Sequence, residues 1–321
     1  MRLALARDFA AAEGVSVVMT LDDRLPDEPG PWTIVRIGAG EEPSTFARLA
    51  AACDYTLCVA PETGGILEER ARMIEEAGGR SLSGSPSAVA LCGDKLRCGE
   101  HLRGVGIPTP RSVRVVPREG LPRDHAYPAV LKPIDGAGSL DTYYIESPDD
   151  LPESARAMTE ALLQPFEPGS PMSAAFLVGE TGEPRLIGVA EQQVERRGGR
   201  FAYLGGRVPA DLPIPAPVVE AVRSVPGLRG WVGVDFVRCE ATGRVVVLEI
   251  NPRATTSFVG WREVAPGAGF LAGAWLYRDR DPSHPRLRVQ EIIPGSFLNQ
   301  TSGPKVRFSA DGLIHREEAP S

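Results

Sequence analysis

The sequence predicts a small α/β unit followed by a mixed α+β body, on three observations. Helical and strand patterns alternate up to about Ser85. A long helix then closes at Gly104 and Gly106, and Pro108 and Pro110 open a new unit. Residues 160–250 carry mainly antiparallel strand runs. In the first unit Leu3, Leu5, Phe9 and Ala10 suit one face of a helix, and Val15–Leu21 reads as a buried strand. Thr33–Ile37 is a second strand, Phe46–Ala52 a helix, Tyr55–Ala60 a third strand and Gly64–Ala77 a helix. A complete unit of this kind opens on a strand, whereas this chain opens on a helix. The sequence therefore predicts a unit truncated at its first strand and loop, either genuinely or through a misplaced start codon.

Beyond it, Ser87–Gly104 reads as one helix with Pro86 before it. Strands are expected at Ser112–Val116, Ala129–Lys132 and Thr142–Ile145, with a helix from about Asp149. The antiparallel set follows at Leu162–Phe166, Ser173–Val178, Leu186–Val194, Phe201–Leu204, Gly233–Cys239 and Val245–Asn251, interrupted by a helix near Ala216–Ser224. Asp311-Gly312 marks a hairpin in the tail. The divisions this implies are 1–85, 86–165 and 166–321.

Composition narrows the function classes. The 321 residues are 42% hydrophobic and 24% charged, ordinary for a soluble globular chain long enough for two or three packed units. A net charge of −7 argues against nucleic acid or an anionic membrane as the main partner, and no apolar run is long enough for a membrane span. The five cysteines form no C-x-x-C pair and read as reduced thiols of a cytoplasmic protein. With four scattered histidines, the chemistry must rest on carboxylates, lysines, arginines and backbone.

The most informative stretch runs from Gly233 to Arg253, two apolar strands around a turn near Thr242. Centred there, the turn sets Asp235 opposite Glu249, and strand alternation puts Asn251 on the same face. Opposed carboxylates repel. A Mg²⁺ ion resolves that conflict, since it prefers carboxylate oxygens and keeps positions open for phosphates. The competing reading is two acids on a solvated sheet face. Arg253 is placed either to stabilise charge on a transferring phosphoryl group or as a surface arginine after a proline turn.

Lys132 ends an apolar strand and is followed by Asp135-Gly136-Ala137-Gly138-Ser139, an amide-rich loop. Such a loop either cradles phosphate oxygens beside the lysine or is only a tight strand turn; it does not fit the Walker pattern. Lys95, alone, is a surface charge on a helix. Gln164-Pro165-Phe166-Glu167 is a connection between lobes, where an adenine could lie against backbone edges.

Taken in order, Gly93-Asp94-Lys95, Ala129–Pro133, the glycine loop, Gln164–Gly169 and the pair Gly233-Val-Asp235-Phe and Leu248-Glu249-Ile-Asn251-Pro-Arg253 resemble the ATP-grasp superfamily. The resemblance covers residues 85 to 260, and its last element is the most specific. It implies an ATP-grasp fold behind a small N-terminal α/β pre-ATP-grasp domain, with ATP and Mg²⁺ (or Mn²⁺) bound between two lobes. It further implies Asp235, Glu249 and Asn251 as metal ligands, and Lys95, Lys132, Gly136, Gly138 and Ser139 at the phosphates. Gln164, Phe166 and Glu167 would lie near adenine or ribose, with Lys132 and Arg253 serving catalysis. The chain departs from the pattern where Pro165 follows Gln164 and where Ser170, Pro171 and Met172 replace the usual linker acid.

Within the superfamily, Ala60–Leu67, Ser83–Ser85 and Glu249–Ser257 look like the tyramine–glutamate ligases of methanofuran and methylofuran biosynthesis. These join the glutamate γ-carboxyl to the tyramine amine. That likeness implies Glu62, Thr255 and Thr256 at the substrate pocket, and small-molecule carboxylate and amine substrates. Two alternatives stay open: another amino-acid or peptide ligase of the D-alanine type, and a catalytically silent nucleotide-binding protein. Gly233 stands where D-alanine ligases commonly carry an arginine.

Overall fold

The computed structural model describes residues 1–136, 138–278 and 305–316. The chain opens with α1 (Arg2–Ala11), β1 (Val17–Asp22), β2 (Trp32–Ile37), α2 (Glu42–Ala52), α3 (Ile66–Glu76), α4 (Pro86–Gly93) and α5 (Lys95–Gly104). It continues with β3 (Val113–Val115), β4 (Ala129–Lys132), β5 (Tyr143–Ile145), α6 (Glu153–Arg156), β6 (Ala161–Pro165), β7 (Ser170–Val178), β8 (Pro184–Arg197) and β9 (Arg200–Val208). The last elements are α7 (Ala216–Arg223), β10 (Gly230–Arg238), β11 (Val245–Asn251), α8 (Ser257–Val264), α9 (Phe270–Arg278), β12 (Val306–Ser309) and β13 (Ile314–Arg316).

Strands β1 and β2 pair in parallel as a separate ribbon, the α/β unit the sequence predicts. The expected third strand at Tyr55–Ala60 is absent; only Thr56 bridges to Ser81. Its apolar residues instead cover neighbouring helices, as Cys58 does with Leu67, Ala71 and Val89. The expected helix 87–104 is two helices, because Asp94 leaves helical geometry (φ −95°, ψ 103°) and caps α5 through its carboxylate, which accepts from the Leu96 and Arg97 amides. The helix expected from Asp149 is only the one turn of α6.

All other strands form one sheet in the order β11-β10-β7-β8-β9-β5-β4-β6-β3, with β12 and β13 branching from β9. Two bodies hang on it. In β10, Val232, Val234 and Phe236 face a core built with Cys98, Leu102, Val218 and Val222, covered by α4, α5 and α7. Trp231, on the other face, packs with Phe258, Trp261 and Trp275 from α8 and α9. At the far end of the sheet, Ala129, Leu131, Tyr143, Ile145 and Leu163 form a smaller core. The two halves meet at a single rung, Tyr143 opposite Arg200. Flanking it, the Tyr144 amide donates to Gly199 O at 2.7 Å and the Phe201 amide to Thr142 O at 2.9 Å. Among the described residues no helix is long and apolar enough to cross a membrane.

Candidate functional site

The hairpin β10–β11 sets Asp235 opposite Glu249, as turn symmetry predicts, but by a different route. From Phe236 to Arg238 the register runs one residue short, and a bulge at Leu248 restores it. Without the bulge Glu249 would face the opposite side of the sheet. On β7, Ser173 lies opposite Asp235, so a polar row crosses three mainly apolar strands. Asn251 Nδ2 donates to Asp235 Oδ2 at 3.1 Å, and Gln192 Nε2 on β8 donates to Asp235 Oδ1 at 3.0 Å.

Electrostatics divide the two acids. Burial pushes the Asp235 carboxyl up to about 7, and the neighbouring Glu249 charge adds to the rise. Burial also acts against a charged Glu249, yet Lys95 and Lys132 together hold it below the usual carboxylate range. Their ammonium groups lie 3.8 Å and 4.0 Å from Glu249 Oε2. Burial lowers Lys132, and Glu249 partly restores it. The arrangement is a half-buried pair of acids flanked by two lysines, with Glu249 20% exposed on its side chain.

Lys95 is no surface charge. Its Nζ donates to Gly136 O at 2.7 Å, and its amide to Ile134 O at 3.1 Å. The glycine loop is thereby tied to the start of α5. Gly136 and Gly138 have φ of 127° and 74°, and Ser139 follows at 58°, so the loop turns through conformations glycine reaches cheaply. Asp135 Oδ2 accepts from the Gly64 amide at 2.8 Å, which joins the loop to the N-terminal unit.

Strand pairing sets Val130 opposite Gln164 and Leu131 opposite Leu163. Leu131 and Leu163 enter the small core, so Lys132 and the buried Gln164 share the other face. Phe166 stacks on Phe201 with centroids 6.3 Å apart and meets Tyr144 edge-on. Glu167 pairs with Arg244 beyond the hairpin turn. Arg253 Nε donates to both oxygens of Glu62 at 2.8 Å. Thr255 Oγ1 lies 2.9 Å from Ser257 Oγ, and Thr256 precedes α8 without capping it through its side chain. Glu62, Lys95, Gly136, Glu249 and Asn251 line one recess together with Cys92 and Ile250.

Gln192, Ser173 and the Gly64–Asp135 contact belong to no motif of the sequence. Ser173 had one signal, a hydroxyl in the middle of an apolar strand. Gln192 and Gly64 had none, since their partners are 43 and 71 residues away.

Asp235, Glu249 and Asn251 are chemically suited to a hard divalent cation. Two facing acids, one raised to about 7, relieve their conflict when such an ion replaces the proton. Among the described residues no three His, Cys, Asp or Glu side chains cluster as a closed metal cage. Mg²⁺ does not need one, because it completes its shell with waters and substrate phosphates.

A two-lobed sheet with paired acids, two lysines and a glycine loop at its cleft defines a nucleotide-dependent class of fold, and the comparisons agree. Residues 92–257 match the ATP-grasp domain and residues 15–89 the pre ATP-grasp 3 domain, so the chain belongs to the ATP-grasp family. It is 27% identical over 211 residues to the tyramine–L-glutamate ligase of Methanocaldococcus fervens, covering 64% of this chain and 61% of that protein. The chain thus matches less than two thirds of that relative's length. Among solved structures it is similar to an ATP-grasp superfamily protein from Archaeoglobus fulgidus (TM-score 0.58, 23% identity, 87% of this chain and 75% of that one). A biotin carboxylase from Campylobacter jejuni is also similar (TM-score 0.67, 16% identity, 88% and 69%) and shares the fold.

Proposed function

We propose that this chain is an ATP-dependent ligase that activates a carboxylate as an acyl phosphate and couples it to an amine, in the manner of a tyramine–L-glutamate ligase. The observation that carries this reading is the Asp235–Glu249 pair beside Asn251, faced by Lys95 and Lys132. Asp235, Glu249 and Asn251 would hold Mg²⁺ or Mn²⁺, which when bound draws negative charge off the phosphates. Lys132 and Lys95 bind the phosphates as point charges, and the amides of Gly136, Gly138 and Ser139 cradle their oxygens. Gln164, Phe166 and Glu167 flank the base and ribose. Arg253 stabilises charge on the transferring phosphoryl group.

The substrate carboxylate oxygen attacks the γ-phosphorus, the bond to the β-phosphate oxygen breaks, and ADP departs. The free-base amine then attacks the acyl carbon; the acyl C–O bond breaks with its electron pair passing to the phosphate, and the proton that the nitrogen loses ends on that phosphate, which leaves as HPO₄²⁻. This chemistry asks the protein mainly for positioning, worth ~7–11 kcal/mol, and for exclusion of water from the intermediate. Glutamate as acid and tyramine as amine are supported by the 27% identity to the archaeal ligase, with Thr255 and Thr256 beside the substrates.

The test supplies ATP, Mg²⁺, L-glutamate and tyramine, and reads ADP release with product mass. Release that depends on both acid and amine, and is lost in Asp235→Asn, is expected. Release indifferent to either substrate, or intact in Asp235→Asn, overturns the reading.

A further inference from the structure

Glu62 is one of the few charged residues carried into the interior, at 7% exposure. It stands just before the turn Thr63–Gly65 of the N-terminal unit, 191 residues from its partner Arg253. Both of its oxygens accept from Arg253 Nε, and Arg253 Nη1 donates to Ala254 O at 3.2 Å. Two residues on, the Gly64 amide holds Asp135 at the entrance of the glycine loop. One short turn therefore braces two separated parts of the site: the segment leaving β11 and the loop following β4.

An arginine side chain has many rotamers to lose, so an unbraced guanidinium spends much of its binding strength on being ordered. Anchoring Nε and Nη1 within the protein settles that cost before any ligand arrives. A carboxylate with both oxygens on a guanidinium has its charge already compensated, which weakens its pull on a substrate ammonium. Glu62 nevertheless lines the recess shared by Lys95, Gly136, Glu249 and Asn251. Its position is therefore inside the site while its bonding is directed at the protein.

We infer that Glu62 is a positioning residue for Arg253 and not itself a substrate contact, an inference that rests on the ligase reading and assigns the N-terminal unit its part in it. Glu62 holds the guanidinium beside the end of the carboxylate hairpin, and the remaining N–H donors serve the reacting groups. A residue acting only through another has a recognisable signature: once the partner is gone, removing it costs nothing more.

The experiment is a double-mutant cycle of Glu62→Gln and Arg253→Met, read as acid- and amine-dependent ADP release. Each single change is expected to lower kcat about 100-fold, the scale of losing one preorganised donor at a developing charge. The KM for ATP and for the amine should stay within about threefold, and the double variant within about threefold of Arg253→Met alone. A double variant that falls by the product of the two losses, or an amine KM that climbs with Glu62→Gln, overturns the inference.

If Glu62→Gln fails to fold because Arg253 is left buried and unpaired, Arg253→Met and the double variant still carry the comparison. A second readout needs no turnover: exchange of the Arg253 Nε proton, followed by ¹⁵N NMR on the chain without nucleotide. Slow exchange in the parent and fast exchange in Glu62→Gln are expected; fast exchange in both overturns the inference. Should the parent release no ADP with any acid and amine, the ligase reading falls, and the exchange measurement still decides whether Glu62 holds Arg253.

Discussion

Asn251 donates its amide hydrogen to Asp235 across 3.1 Å, so the chain itself supplies a bond to the acid that burial pushes up to about 7. The two side chains stand on neighbouring strands two residues apart in register, since Asn251 lies opposite Gly233. That bond lowers Asp235 while burial and Glu249 raise it, and the balance lands near neutrality.

A pH dependence follows. The folded carboxyl is raised from 3.8 to about 7, so its stabilising contribution is present below about pH 4 and disappears as pH rises through about 7. Thermal melting of the metal-free chain should fall between pH 6 and pH 8, and Asp235→Asn should remove that slope. Mn²⁺ affinity, read by electron paramagnetic resonance, should rise over the same interval because the ion displaces the proton. A flat Mn²⁺ titration from pH 6 to pH 8 would contradict this assignment.

The two lysines should separate by experiment. Both stand about 4 Å from Glu249, but only Lys95 also holds Gly136 O. Lys132→Met and Lys95→Met should each weaken ATP binding by about tenfold or more, equal to ~1.4 kcal/mol, in calorimetric titration. Amide exchange in the Gly136–Gly138 loop should accelerate in Lys95→Met alone.

Asp8 is a structural acid whose loss should register as stability. Its buried carboxylate accepts from the Gly269 and Ala272 amides at 3.2 Å and 2.8 Å, and from Arg262 Nε at 3.2 Å. It thereby caps the start of α9 from α1. Asp8→Ala should cost about 2–3 kcal/mol in urea denaturation, combining a lost cap with a lost charged hydrogen bond.

Gly233 tests the packing under the Thr255–Thr256 run. A Cβ there would stand 2.4 Å from Thr255 Cγ2. Gly233→Ala should cost about 1–3 kcal/mol of stability through overpacking, together with activity. Thr255→Ser removes the clashing methyl, so the double variant should melt higher than Gly233→Ala alone.

The fold was largely legible where periodicity and punctuation agree. The antiparallel run from Ala161 to Asn251 is apolar alternation bounded by Gly and Pro, and those strands form. Tyr55–Ala60 carries the same local signal but makes only one bridge, because strand formation needs a partner edge that the local sequence does not report. Asp94 was hidden inside a helical pattern, since its capping role depends on the kink that separates α4 from α5. At the site, Asp235, Glu249 and Asn251 could be brought together from one hairpin. The Glu62–Arg253 and Gly64–Asp135 contacts could not, because each closes a long loop whose geometry no motif spacing encodes. The ammonium of Lys95 joins the glycine loop to Glu249 through packing between segments 41 and 154 residues apart, which no helix face could reveal.

The single rung between Tyr143 and Arg200 makes the long sheet creased, continuous in hydrogen bonding yet thin at one line. Swinging one half away severs the Tyr144–Gly199 and Phe201–Thr142 backbone bonds and leaves every ladder on either side intact. At about 0.5–1.5 kcal/mol net per backbone bond, the ladder itself contributes only a few RT at this line, and the Phe166–Phe201 stack and the Arg200 bonds to Asp141 and Tyr143 supply the rest of the join. A molecule gripping both halves at once biases the angle of this crease by as much as its grip differs between one angle and another.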